Sequence, residues 1–128
     1  MGKKKTIILF LIFIIIMIMI ILIITGGKRT DVVLKDFSIS NDGTKITLNT
    51  MVTGSAGYTR KLKIKQGGDN KYITFYSTYG INSNLGAKSI FEVELDPFCR
   101  EIYFYKGDGG YKLVLKKDIN TNQWVIVK

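Results

Sequence analysis

Histidine is absent from the chain, and cysteine and proline occur once each, as Cys99 and Pro97. Without an imidazole there is no histidine ligand for a metal and no side chain that trades protons near neutral pH at its ordinary pKa. One cysteine permits no disulfide within the monomer. Buried and inert is the common state of such a thiol, and a reactive or intermolecular thiol is the alternative. With no base beside it, Cys99 does not make a nucleophile and base pair. The expectation is a protein that is not an enzyme and that carries no cofactor and no metal.

The motifs that would overturn this are also missing. Gly107-Asp108-Gly109-Gly110 is glycine-rich, but the Lys-Ser/Thr and helix of a phosphate loop do not follow, so it reads as a hairpin turn. Asp42, Asp69 and Asp108 each sit in a separate turn, and no D-x-D-x-D-G run joins them into a calcium loop. Glu92, Glu94 and Asp96 fall on one face of one strand. Glycoside hydrolysis needs carboxyls across a cleft, so these read as a solvated stripe beside a lysine strand.

What the chain does have is Ile7–Ile24, a run drawn only from Ile, Leu, Phe and Met. As a helix it is about 27 Å long, and Thr25 to Gly27 extend it toward the ~30 Å of a bilayer core. A buried core helix would need a larger domain around it than the rest of the chain supplies. A cleaved signal sequence is the serious rival, since Lys3, Lys4 and Lys5 precede the run. Its length exceeds a signal's apolar region, and no A-x-A site follows. The run contains no small residue for helix pairing and no ionisable residue for a conducting path, so it reads as a tether. Positive charge flanks both ends. Lys3, Lys4 and Lys5 are crowded against the helix, while Asp31 and Asp36 dilute Lys28, Arg29 and Lys35, which places the tail in the cytoplasm and the domain outside.

The expected division is a basic tail over 1–6, an anchor helix over 7–25, a polar hinge over 26–30 and one domain over 31–128. Net charge is +9. Of 19 basic residues Lys3 to Lys5 supply three, leaving 16 against 10 acidic and a surplus of six on the domain side. A surplus of this kind suits an anionic partner, and equally an ordinary lysine-rich surface.

Past the hinge, period-two alternation replaces the continuous run. Phe37 and Ile39 alternate with Ser38 and Ser40 before the Asn41-Asp42-Gly43 turn, and Ile46 and Leu48 continue after it. Thr53 to Gly57 and Gly80 to Ala87 read as loops. Leu62 and Ile64 alternate with Lys61, Lys63 and Lys65, which leaves one wholly cationic strand face. Ile73 and Phe75 oppose Tyr72 and Tyr76. Phe91, Val93 and Leu95 follow, until Asp96-Pro97 stops the pairing. Ile102 and Phe104 oppose Tyr103 and Tyr105, so one of these pairs must face away from the core. Tyr111, Leu113 and Leu115 read as one inward face, and Trp124 and Ile126 as a last strand. The pattern predicts an all-β domain, an antiparallel immunoglobulin-like β-sandwich of about seven or eight strands; a small barrel is the alternative.

In order and spacing, Asp31 to Lys128 resembles the immunoglobulin-like ectodomains of small single-pass bacterial surface proteins. It lacks the paired cysteines of antibody domains and a tryptophan in the third strand. The excess of Ile, Lys, Asn and Tyr resembles the bias of low-GC Gram-positive bacteria. The expected function is a non-catalytic, membrane-anchored binding module at the cell surface. Its candidate contacts are Lys61, Lys63 and Lys65, spaced about 6.6 Å along one strand face, and Tyr103 and Tyr105. The expected partners are the membrane itself and an anionic wall polymer, lipid head groups or another membrane protein; nucleic acid is not expected. The alternative is a structural or assembly subunit of a membrane complex, of sensor or immunity type.

Overall fold

A backbone in hydrocarbon must satisfy its own hydrogen bonds, and an unbroken Ile-rich run does so as a helix. In a computed structural model, which describes residues 2–54, 57–80 and 83–128, this is α1, Lys3–Ile24. None of its residues is buried. It is the one helix among the described residues long and apolar enough to cross a membrane. Thr25 ends it in an extended conformation, its N–H donating to Ile21 O at 2.9 Å.

Among the described residues nine strands follow: β1 Lys28–Arg29, β2 Val32–Ile39, β3 Lys45–Val52, β4 Thr59–Gly67, β5 Asn70–Ser77, β6 Ile90–Glu94, β7 Glu101–Gly107, β8 Gly110–Lys117 and β9 Trp124–Ile126. The strand beyond the expected seven or eight is β1. It lies in the segment read as a hinge and pairs with β5 through Lys28↔Tyr76 and Arg29↔Phe75. Of the two loops, Ser55 and Ala56 in the first and Ile81 and Asn82 in the second lie outside the described residues.

The strands form two sheets. One has the order β2-β3-β6; the other has β4 and then β5 at one side, β7, β8 and β9 in succession, and β1 sharing an edge of β5 with β7. The purely antiparallel expectation is corrected here, because β5 and β7 run parallel. A parallel pair needs a long crossover. The chain makes it by leaving for the other sheet as β6 before returning as β7.

The alternating apolar residues put their side chains between the sheets. Ile46, Leu48, Phe91 and Val93 come from the smaller sheet, and Ile73, Phe75, Ile102, Phe104 and Leu115 from the larger. Phe75 meets Phe91 edge-on across the interface at 5.5 Å and Phe104 within its own sheet at 4.8 Å. Each such side chain contributes about 1.5–3 kcal/mol by leaving water.

One reading of faces fails. On β8 only Leu115 faces the core as expected; its register partner is Ile102, while Leu113 pairs with Tyr103 and Tyr111 with Tyr105. Val114 is an extra residue between the two registers, a β-bulge. A one-residue slip exchanges the faces of a strand. Tyr111 and Leu113 therefore lie on the outer face.

The junction with α1 is hydrogen-bonded. Gly80 N–H donates to Thr25 Oγ1 at 2.9 Å, Ser77 N–H to Gly27 O at 2.8 Å and Arg60 Nη2 to Gly26 O at 3.3 Å. Arg60 reaches there because it is bulged out of the β4–β5 register, and its guanidinium lies 4.2 Å from the Tyr79 ring centroid. Gly26 has φ +78°, and a Cβ there would run into the Tyr79 ring.

Candidate binding face

The lysine row and the tyrosine pair turn out to share one surface, the outer face of the larger sheet. With Leu62 turned toward the core, Lys61, Lys63 and Lys65 of β4 stand opposite Tyr76, Thr74 and Tyr72 of β5. Tyr72 is in turn opposite Tyr103 of β7, and Tyr103 opposite Leu113 of β8. The parallel β5–β7 pairing creates this neighbourhood, since it sets the outward tyrosines of two strands side by side.

The rings hold one another. Tyr72 stacks on Tyr103 with centroids 4.9 Å apart and planes 17° from parallel. Tyr111 meets Tyr72 edge-on at 5.0 Å and Tyr105 at 5.6 Å. Such pairs contribute about 0.5–1.5 kcal/mol each beyond burial. The Tyr103 hydroxyl donates to Glu101 Oε1 at 3.2 Å. Burial pushes the Tyr103 pKa up, with the Glu101 charge and this hydrogen bond adding to it.

Ammonium groups ring the aromatic patch. Lys61 and Lys63 Nζ each lie 5.4 Å from the Tyr76 ring centroid, and Lys28 Nζ lies 5.3 Å from that of Tyr105. At exposed sites each contact of this kind is worth about 0.5–1 kcal/mol. The face therefore combines aromatic planes with cations and has little acid of its own. It can stack against ring-bearing or apolar groups and meet anions at the same time.

Sequence reasoning placed Tyr72 and Tyr76 on one side of their strand and missed Lys28 and Tyr111. Lys28 was hidden in the presumed hinge. Tyr111 was assigned inward because a bulge leaves no mark in a pattern of alternating residues.

The remaining candidates are scattered. Glu92 lies on the outer face of the smaller sheet, where Lys45 Nζ approaches it at 3.1 Å; this hydrogen bond, with the charge of Glu92, raises the Lys45 pKa. Asp96 pairs instead with Lys71 of β5 at 3.5 Å. Asp42, Asp69 and Asp108 occupy the turns after β2, β4 and β7. Asp42 accepts from the Ser40 and Thr44 hydroxyls, both at 2.7 Å, and from Thr44 N–H at 3.1 Å, which lowers its pKa to about 2. Cys99 is 1% exposed, and burial pushes its thiol up to about 11. A thiol held protonated in this way is a poor nucleophile. Among the described residues no three His, Cys, Asp or Glu side chains gather where a metal ion would be held.

Comparison with protein-family models, with curated proteins and with solved structures finds no match to this chain.

Proposed function

We propose that this is a non-catalytic, membrane-anchored binding module whose ligand is an anionic polymer of the cell envelope. The observation that carries the reading is the shared face, Lys61, Lys63 and Lys65 beside the stacked Tyr72 and Tyr103. Lysines spaced about 6.6 Å along the strand suit successive anionic groups along a chain. The tyrosine planes beside them suit the sugar or other ring-bearing units between those groups. The domain stands outside the cytoplasm, a placement supported by Lys3, Lys4 and Lys5 against the anchor.

We read the β-domain as a variant of the immunoglobulin-like sandwich. The order β2-β3-β6 and the β7–β8 hairpin correspond to the A-B-E and F-G strands of that fold. The departure is the β4–β5 hairpin, which meets β7 through β5 and in parallel.

The test is binding of the full chain, held in nanodiscs, to a soluble anionic polymer at low and high salt. Binding should weaken as salt rises and fall about tenfold in Lys61→Glu with Lys63→Glu. Binding that ignores both salt and this variant, but is lost in Tyr103→Ala with Tyr105→Ala, would replace the reading with the other one, an assembly subunit whose tyrosine face packs on a membrane protein.

A further inference from the structure

A second surface opens where the two sheets part, and it meets the tyrosine face at Tyr105 and Leu113. A cleft of about 450 Å³ opens between β2 of the smaller sheet and β7, β8 and β9 of the larger. Its floor is apolar, with the core residues Val32 and Phe104 beside the half-buried Leu34, Val114 and Ile126. Its walls carry Lys35, Lys106, Lys112 and Lys128.

Irregularities in the strands put these lysines there. Lys35 lies at the register break of β2 between Leu34 and Asp36, and Lys106 at that of β7 between Tyr105 and Gly107. The Val114 bulge leaves Lys112 opposite Phe104, an inward-facing residue, so Lys112 falls on the inner side of its sheet. Bulges re-aim side chains in this manner. Among the described residues the one acidic side chain lining the cleft, Asp31, is already engaged by Arg29 at 2.8 and 2.9 Å, which lowers its pKa and leaves it less charge to offer the lysines.

We propose that this cleft binds a single-chain anionic amphiphile, a long-chain fatty acid, with the alkyl chain along Leu34, Val114 and Ile126 and the carboxylate among the lysines. Charge complementarity chooses the head group. The volume, near the lower end of the roughly 300–1,000 Å³ of small-molecule sites, accommodates one chain. The anchor supplies the setting, since Thr30, which lines the cleft, follows directly on β1 and the helix junction. A strand of another protein is a poorer occupant, because a bulge and a lysine midway along β2 interrupt the edge it would need.

The experiment uses the full chain in phosphatidylcholine nanodiscs with a diazirine-bearing palmitate, the labelled peptides being mapped by mass spectrometry. The helix α1 takes label from the bilayer and serves as the internal reference. Label is expected on the peptides holding Leu34, Val114 and Ile126. It should fall about tenfold, relative to α1, in Lys35→Glu with Lys112→Glu, as two reversed contacts of roughly 0.7 kcal/mol each imply. Both lysines are exposed, and unchanged Trp124 fluorescence verifies that the variant is folded. Label confined to α1 overturns the proposal. So does equal cleft labelling by the matching neutral alcohol, or labelling indifferent to the two charge reversals. A crosslink between Lys35 or Lys112 and a second copy of the chain in the same discs would make the cleft a contact between copies, and would overturn it too.

Discussion

The two sheets present matching inner faces and very different outer ones. On the smaller sheet, Thr47 and Asn49 of β3 face outward beside charges of both signs, with Lys45 on Glu92 and Glu94 in register beside it. On the larger sheet, Lys28, Lys61, Lys63 and Lys65 surround five of the seven tyrosines, with Glu101 tied to Tyr103. The pleat produces both faces by the same alternation. A face that carries carboxylates beside its lysine pairs that cation within itself. One with cations of a single sign around aromatic planes still has unspent attraction for something else. The contrast sets a polar face that carries both signs of charge against an aromatic face ringed by cations.

The most drastic way to break the contrast is to delete Val114. Without the bulge residue, β8 must exchange the faces of either Tyr111 and Leu113 or Leu115, and the expected cost exceeds ~4 kcal/mol. Urea unfolding of the full chain in detergent, followed by Trp124 fluorescence, measures it. A deletion tolerated with little loss would show that the bulge does not set the faces.

The inner faces should be equals. Ile73→Ala and Leu48→Ala, both at fully buried positions in opposite sheets, should each destabilise by about 3 kcal/mol in the same assay. A large difference between them would mean that one sheet carries the core.

The outer faces should differ by less, and in one direction. Tyr72→Ala removes a stacked and an edge-on partner and should cost about 1–2 kcal/mol. Thr47→Ala, on the opposite face, should stay within about 0.5 kcal/mol of the parent.

The smallest expected effect belongs to the turn of the smaller sheet. The Asp42 pKa falls from 3.8 to about 2 in the fold, because the Ser40 and Thr44 hydroxyls bond to its ionised form. A carboxylate depressed in the native state stabilises above its unfolded pKa and loses that contribution as pH falls through the folded value. Stability should therefore decline between about pH 4 and pH 2, and Asp42→Asn should flatten that decline. An identical pH profile in the variant would remove Asp42 as the cause.

The helix was legible, since Ile7–Ile24 is an unbroken apolar run and α1 is long and apolar enough to cross a membrane. Most strands were legible too, as was the cationic side of β4; alternation left open which of the pairs Ile102 and Phe104 or Tyr103 and Tyr105 faces outward. The errors cluster where one residue breaks the period. Val114 inverted the reading of Tyr111 and Leu113, and two residues of strand, Lys28 and Arg29, are too short a segment to show any period. The cleft was illegible for the same reason, because Lys35 and Lys112 look like ordinary surface lysines until the strand irregularities are known.

Alternation along a strand is a local property, and the sequence by itself therefore determined which residues of each strand share a side. Which strands lie next to one another is decided by contacts between residues far apart in the chain. Only the tertiary structure could return β7 parallel to β5, bring Tyr103 onto Tyr72 and set both beside the lysines of β4. The physical reason is that the apolar faces of these strands are interchangeable as hydrophobic surface. The choice of neighbours is settled by how the two sheets pack around one core.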